Sequence, residues 1–256
     1  MSDPIPTGCP PVDDLLGGGF ERGVVTQVYG PPAAGKTNLA LAAAVEVAAA
    51  GGRVLYVDTE GLSIERFQQL ASARLEAETE ADVTGSVEPA EMVESTEAAE
   101  PAETMETLAG RLIITEAYDF ADQREAVRDA EELAGQVDLI VLDSATGFYR
   151  LERADDVEGG DSLRAVTKQV THLLSLARRY DLAVVITNQV FRDPDADRVR
   201  GLGGNTLEHW TGTILRVDRF RGGNRRATLE KHRSRPAGET APFRIVADGL
   251  ADAADP

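Results

Sequence analysis

Val24-Val-Thr-Gln-Val-Tyr29 runs into Gly30-Pro-Pro-Ala-Ala-Gly35-Lys36-Thr37, and an alanine-rich run from Lys36 to Ala50 follows until Gly51-Gly52 stops it. The first segment is β-branched and apolar, which predicts a strand over Val24–Tyr29. The last is built of strong helix formers, which predicts a helix over Lys36–Ala50. Between them, Gly30, Pro31, Pro32, Ala33, Ala34, Gly35, Lys36 and Thr37 match G-x-x-x-x-G-K-[ST] at every fixed position. A strand–glycine-rich turn–helix of this kind turns its backbone N–H groups inward. The helix N-terminus adds its positive dipole, so the turn suits a chain of phosphates. Lys36 then reaches the β- and γ-phosphates, and the Thr37 hydroxyl ligates Mg²⁺. The expected ligand is ATP with Mg²⁺.

Outward from this loop the pattern alternates between strands and helices. Strands are expected at Val54–Asp58, Arg111–Thr115, Leu139–Asp143 and Ala183–Asn188, and helices at Ser63–Arg74, Phe120–Leu133 and Asp161–Tyr180. Such alternation predicts an α/β fold, a mostly parallel twisted sheet flanked by helices. Thr213–Val217, Ala227–Lys231 and Phe243–Ala247 read as closing, antiparallel C-terminal strands, with Gly222-Gly223-Asn224 as a turn between two of them. Glu76–Thr107 breaks the pattern, with eleven acids and no basic residue. It lacks the apolar surface to offset ordering entropy, so a disordered or loosely helical surface insertion is expected at 76–107 within one core domain spanning 1–256.

The 256 residues suit one large α/β domain. No apolar run reaches the ~20 residues that span a bilayer. The N-terminus has no basic and apolar leader pattern, so a cytoplasmic protein with no membrane association is expected. Cys9 is the one cysteine, which excludes a disulfide framework or a cysteine metal site. The chain carries 44 acids against 26 Lys+Arg, a net charge of −18, and its lysines are Lys36, Lys168 and Lys231 alone. Acidic excess with few lysines is the bias of proteins that stay soluble in molar salt, so a halophilic source is expected. Against that background, Phe191–Arg235 holds eleven Lys/Arg and six acids, a local +5.

Three polar residues stand at strand ends. Asp143 closes the buried run Leu139–Asp143, where a carboxylate can hold Mg²⁺ or cap the next turn. Glu60 follows Val54–Asp58, where a carboxylate can act as general base on the attacking water or serve as a structural acid. Gln189 follows Ala183–Asn188, where an amide can sense the γ-phosphate and pass its presence to the next loop, or be a buried polar group satisfied by backbone.

Together these pieces resemble the RecA/RadA recombinase superfamily. The resemblance rests on Thr7–Thr37 (TGCPPVDDLLGGGFERGVVTQVYGPPAAGKT), then VDTEG at Val57–Gly61, LIVLDSAT at Leu139–Thr146, TNQV at Thr187–Val190 and GGN-x-x-x-H at Gly203–His209, in that order. It covers nearly the whole chain apart from the acidic insertion, and implies a RecA-type P-loop ATPase core. The short opening before the core and the short Gln189–Gly203 loop resemble the archaeal RadB-like branch. What that branch implies is weak ATP hydrolysis, DNA binding without sequence preference on single-stranded or branched DNA, and assistance to a RadA-type recombinase rather than strand exchange. Catalytic roles then fall on Glu60, Lys36 and Gln189. Lys231-His232-Arg233 resembles a K-x-R element that a neighbouring subunit points at the γ-phosphate. Lys231, Arg233 and His209 are thus candidates to act across a homo-oligomer, or else a solvated basic edge and a structural histidine. Arg192, Arg198 and Arg200 are the candidate DNA contacts, or else partners of the surrounding acids. A KaiC-like signalling ATPase is the alternative, since the Leu15-Leu-Gly-Gly-Gly19 opening and the K-x-R element fit it too.

Overall fold

The computed structural model of the chain describes residues 2–85, 103–148, 160–193 and 198–253. The elements in chain order are α1 Pro10–Leu16, β1 Val25–Gly30, α2 Lys36–Ala49, β2 Val54–Asp58, α3 Ile64–Gly85, α4 Met105–Gly110, β3 Leu112–Glu116, α5 Phe120–Leu133, β4 Leu139–Asp143, α6 Gly160–Tyr180, β5 Ala183–Asp193, β6 Arg198–Gly201, α7 Gly204–Trp210, β7 Thr213–Arg219, β8 Asn224–Lys231, β9 Thr240–Val246 and β10 Gly249–Asp252.

One sheet runs through them in the order β10-β9-β8-β7-β1-β5-β4-β2-β3, with β6 folded back on β5. The strands from β3 across to β7 pair in parallel, including β7 beside β1. Beyond β7, the strands β8, β9 and β10 are added antiparallel. The first of the expected closing strands is therefore the last parallel one. The central strands are buried on both faces, which explains their unbroken apolar runs.

The period of two sorts these strands between two cores. Val54 and Tyr56, Leu139 and Val141, and Ala183 and Val185 face the core under α1, α2 and α3. Their neighbours Leu55 and Val57, Ile140 and Leu142, and Val184 and Ile186 face the core under α5 and α6. Helix α2 is buried along most of its length, so its small alanines are what let the helix lie close on the sheet.

α1 and its stop were not expected. Pro10 opens the helix, and Gly17 closes it at φ 84° with its N–H on the Asp13 carbonyl. The acidic segment is helical at both of its described ends, one of the two forms expected for it. α3 continues through Gly85, and Thr104 caps α4 in a reciprocal box with Thr107. The Arg111 guanidinium meets the Glu103 carboxylate at 2.8 Å beside it. Residues 86–102, the centre of the expected insertion, lie outside the described residues.

Parallel pairing brings the C-terminal ends of four strands level: Gly30 lies opposite Gln189, and Asp58 opposite Asp143. In a parallel sheet this edge is where ligands bind.

Candidate nucleotide-binding site

The loop after β1 is held tightly. A Cβ built on Gly30 would sit 2.1 Å from the Val217 carbonyl oxygen, and one on Gly35 would sit 2.8 Å from Ile245 Cδ1. Ala33 (φ 58°) and Gly35 (φ 108°) both take left-handed backbone, which turns successive N–H groups toward one side, as an anion requires. Lys36 is buried, and its ammonium donates to the carbonyls of Gly30 at 3.1 Å and Pro31 at 3.2 Å. Burial lowers its pKa, while Glu60 and Asp143 act the other way. A cleft of about 360 Å³ opens here, with Lys36, Thr37 and Asn38 on one side and Glu60, Gln189, Arg225 and Ile245 on the other. A larger groove of about 470 Å³ between α5 and α6, lined by Arg124, Lys168 and His172, lacks a glycine-rich loop.

Asp143 lies 2% exposed at the end of β4. Burial raises its pKa; the hydroxyls of Thr187, Tyr56 and Thr37 pull it back down by donating to the carboxylate. The Tyr56 hydroxyl reaches Asp143 Oδ2 at 2.8 Å, and the Thr187 hydroxyl donates to Oδ1. The two residues expected to take a metal, Thr37 and Asp143, are thus neighbours in one site. An oxygen donor pair of hydroxyl and carboxylate suits Mg²⁺.

Glu60 and Gln189 meet directly. Glu60 Oε1 accepts from Gln189 Nε2 at 3.0 Å and from the Ser144 hydroxyl at 2.8 Å. The turn that carries Glu60 is set by Asp58, whose carboxylate accepts the backbone N–H groups of Glu60, Gly61 and Leu62. Thr59 ties that turn to β4 through its N–H on the Asp143 carbonyl. Asp58, Ser144 and Tyr56 were not singled out from the sequence. Asp58 had a local signal, the Asp-Thr-Glu-Gly turn; the others come from separate strands. Arg225 was counted only as part of the basic stretch, yet its Nε donates to the Ala34 carbonyl at 3.0 Å. It therefore braces the loop from β8.

The remaining candidates lie elsewhere. Lys231 pairs in register with Ile214 at the start of β7, about 10 Å along the sheet from the level of Gly30. Its ammonium donates to the Glu208 and Thr211 carbonyls at 2.6 and 2.7 Å, which caps the C-terminal end of α7. His209 sits in that end, its ring edge-on to Trp210 at 5.1 Å. β8 ends at Lys231, and Arg233 beyond it turns to Glu21 at 3.0 Å. Burial lowers the pKa of His232 between them. The stretch after Gln189, expected as a loop, is a hairpin: β5 continues to Asp193 and β6 returns, with Arg200 opposite Phe191, Val199 opposite Arg192 and Arg198 opposite Asp193. Repeated backbone pairing makes the continuation, although Arg-Val-Arg has no apolar alternation to announce it.

A family model described as Rad51 matches residues 4–100 and 81–253. The chain is 57% identical over 252 residues to the DNA repair and recombination protein RadB of Halobacterium salinarum, covering 98% of this chain and 95% of that protein. It is 42% identical over 253 residues to RadB of Methanoculleus marisnigri, with 97% and 98% covered. A solved structure described as the RadB recombinase superposes with a TM-score of 0.73 at 35% identity, over 97% of this chain and 99% of that one. These likenesses bear out the RecA-type core and the RadB-like resemblance, and a Halobacterium relative fits the acidic composition. They give no support to the KaiC-like alternative.

Proposed function

The chain belongs to the Rad51 family, and from that premise we propose that it binds ATP and Mg²⁺ at Gly30–Thr37 and serves homologous recombination and DNA repair as a weakly hydrolysing, DNA-binding accessory protein. One observation carries the nucleotide part: Lys36, Thr37, Asp143, Glu60 and Gln189, from four separate strand ends, converge on one cleft. The names of the relatives support the recombination part.

In this account Thr37 and Asp143 hold Mg²⁺, which when bound offsets phosphate charge. Lys36 adds a fixed positive charge to the loop. Glu60 takes the proton of the attacking water through its carboxylate. Ser144 and Gln189 fix that carboxylate in place. Gln189 is also the residue from which β5 runs on into the β5–β6 hairpin, and its carbonyl accepts the Leu202 N–H at 2.9 Å. A change at the cleft is therefore passed directly along β5 toward Arg192, Arg198 and Arg200, the candidate contacts to DNA phosphates. Lys231 stands too far down the sheet to serve its own loop, and Arg233, past the end of β8, is turned to Glu21. Any contact they make with a γ-phosphate is with that of a neighbouring copy or of a RadA-type partner. No helix among the described residues is long and apolar enough to cross a membrane.

The test is ATP turnover in molar KCl, with and without single-stranded DNA, for the wild type and Glu60→Gln. A positioned base contributes ~10²–10⁴-fold, so DNA-stimulated turnover should fall by about 10² or more while ATP still binds. Turnover equal to wild type removes Glu60 from the account.

A further inference from the structure

The turn between β7 and β8 concentrates positive charge at one exposed tip. Between Asp218 and Glu230 it holds Arg219, Arg221, Arg225 and Arg226 and no acid, on a chain of net charge −18. The flanking acids are engaged elsewhere. Asp218 takes the Arg216 guanidinium at 2.9 Å, and Glu230 takes the Tyr29 hydroxyl at 2.6 Å. Arg219 and Arg221 are exposed, and their guanidinium groups make no hydrogen bond or ion pair among the described residues. Arg219 stands opposite Arg225 in the ladder, a like-charge pairing that costs stability. Burial, and then Arg219, push the Arg225 pKa down.

The same tip presents an aromatic ring. Phe220 is 45% exposed, with the Arg226 guanidinium 4.8 Å above its ring. Beyond it the chain turns at Gly222 and Gly223, where an added Cβ would meet nothing within 4 Å. Gly222 and Gly223 therefore stand clear of the rest of the molecule, while Arg225 behind them reaches the Ala34 carbonyl.

Resting on the DNA-binding function proposed above, we propose that the Arg219–Arg226 hairpin tip is a contact surface for single-stranded nucleic acid, separate from the β5–β6 hairpin. Phe220 carries one base, and Arg219, Arg221 and Arg226 take the phosphates. Guanidinium forks match phosphate geometry, and every base has a face that stacks on an aromatic ring, so the surface is indifferent to sequence. In molar salt the Debye length is ~3 Å, so long-range attraction to the arginines is screened. Direct contact and stacking, which this tip offers together, are what remain. An acidic protein would use the arginines but has no comparable use for an exposed ring under a guanidinium.

The experiment is fluorescence anisotropy of labelled oligo-dT against the full chain over a range of KCl. Arg219→Ala with Arg221→Ala should flatten the dependence of log K on log[salt] by roughly 1.4, at ~0.7 for each phosphate that an arginine no longer neutralises. Phe220→Ala should weaken binding by about 5- to 150-fold with the slope unchanged, and Phe220→Trp should restore it. ATP-analogue affinity should stay at the wild-type value in all three, and melting temperature should not fall in Arg219→Ala with Arg221→Ala, which relieves the Arg219–Arg225 pairing. Wild-type binding by these variants, with binding abolished in Arg198→Ala/Arg200→Ala, overturns the proposal and leaves the DNA-binding function standing. No binding of oligo-dT by the wild type overturns both. Impaired binding of poly-glutamate with oligo-dT binding intact overturns the proposal in favour of an acidic protein partner.

Discussion

Replacing Tyr56 by Phe tests how the buried carboxylate is held. Tyr56 is fully buried, and its hydroxyl donates to Asp143 Oδ2 at 2.8 Å. Burial and the neighbouring carboxylate raise the tyrosine pKa well above the usual value, so the hydroxyl stays a donor at every working pH. Phe keeps the ring and its packing, so the change is one hydrogen bond to a charged acceptor, worth ~1.5–3 kcal/mol. For a chain of this size each kcal/mol moves the melting midpoint by about 2–4 °C, so Tyr56→Phe should lower it by ~3–12 °C. The sign with pH follows from the shift on Asp143. The hydroxyl stabilises the ionised form, so losing it raises a pKa that burial has already raised. The deficit should be full at alkaline pH and shrink as pH falls through the folded-state pKa of Asp143. The assay is urea unfolding in molar KCl at several pH values, with an unchanged slope against denaturant. A loss under about 0.5 kcal/mol, or one that does not change with pH, would show that Tyr56 does not hold the carboxylate.

Two further outcomes can be checked independently. Lys231→Met removes two hydrogen bonds to the end of α7 and should cost roughly 1–3 kcal/mol there; amide exchange in Gly204–Trp210 should speed up while α2 is unaffected, and unchanged exchange contradicts the cap. Asp13 is pushed from the usual 3.8 up to about 6, chiefly by burial against an opposing N–H from Thr7. Folding therefore favours its protonated form, and that stability, present below pH ~4, is lost as pH rises through about 6. Asp13→Asn keeps an oxygen for Thr7 and should be more stable than wild type above pH 6, with the advantage shrinking toward pH 4; an advantage that grows on acidification contradicts this.

What could be read from the sequence was what is local. The phosphate loop needs only its own eight residues and the elements on either side, and buried parallel strands announce themselves as apolar runs. The helix α1 was legible in principle, since Pro10 and Gly17 are start and stop signals, but its seven residues are too few for a periodic pattern. β6 could not be read because its stability comes from pairing with β5 and not from Arg-Val-Arg. The grip on the site was likewise hidden. Ser144 and Gln189 converge on Glu60, and Tyr56 and Thr187 on Asp143, because parallel register levels four strand ends. Lys231 shows the limit most plainly: its place in a basic triplet says nothing of the α7 carbonyls it caps, which lie 20 and 23 residues away in the chain.

Calorimetric titration of a non-hydrolysable ATP analogue, with and without Mg²⁺, into the wild type and Lys36→Ala measures the phosphate site itself. Binding should strengthen with Mg²⁺ in the wild type and be abolished in Lys36→Ala, while both proteins melt cooperatively. Equal affinity in the two proteins would contradict this.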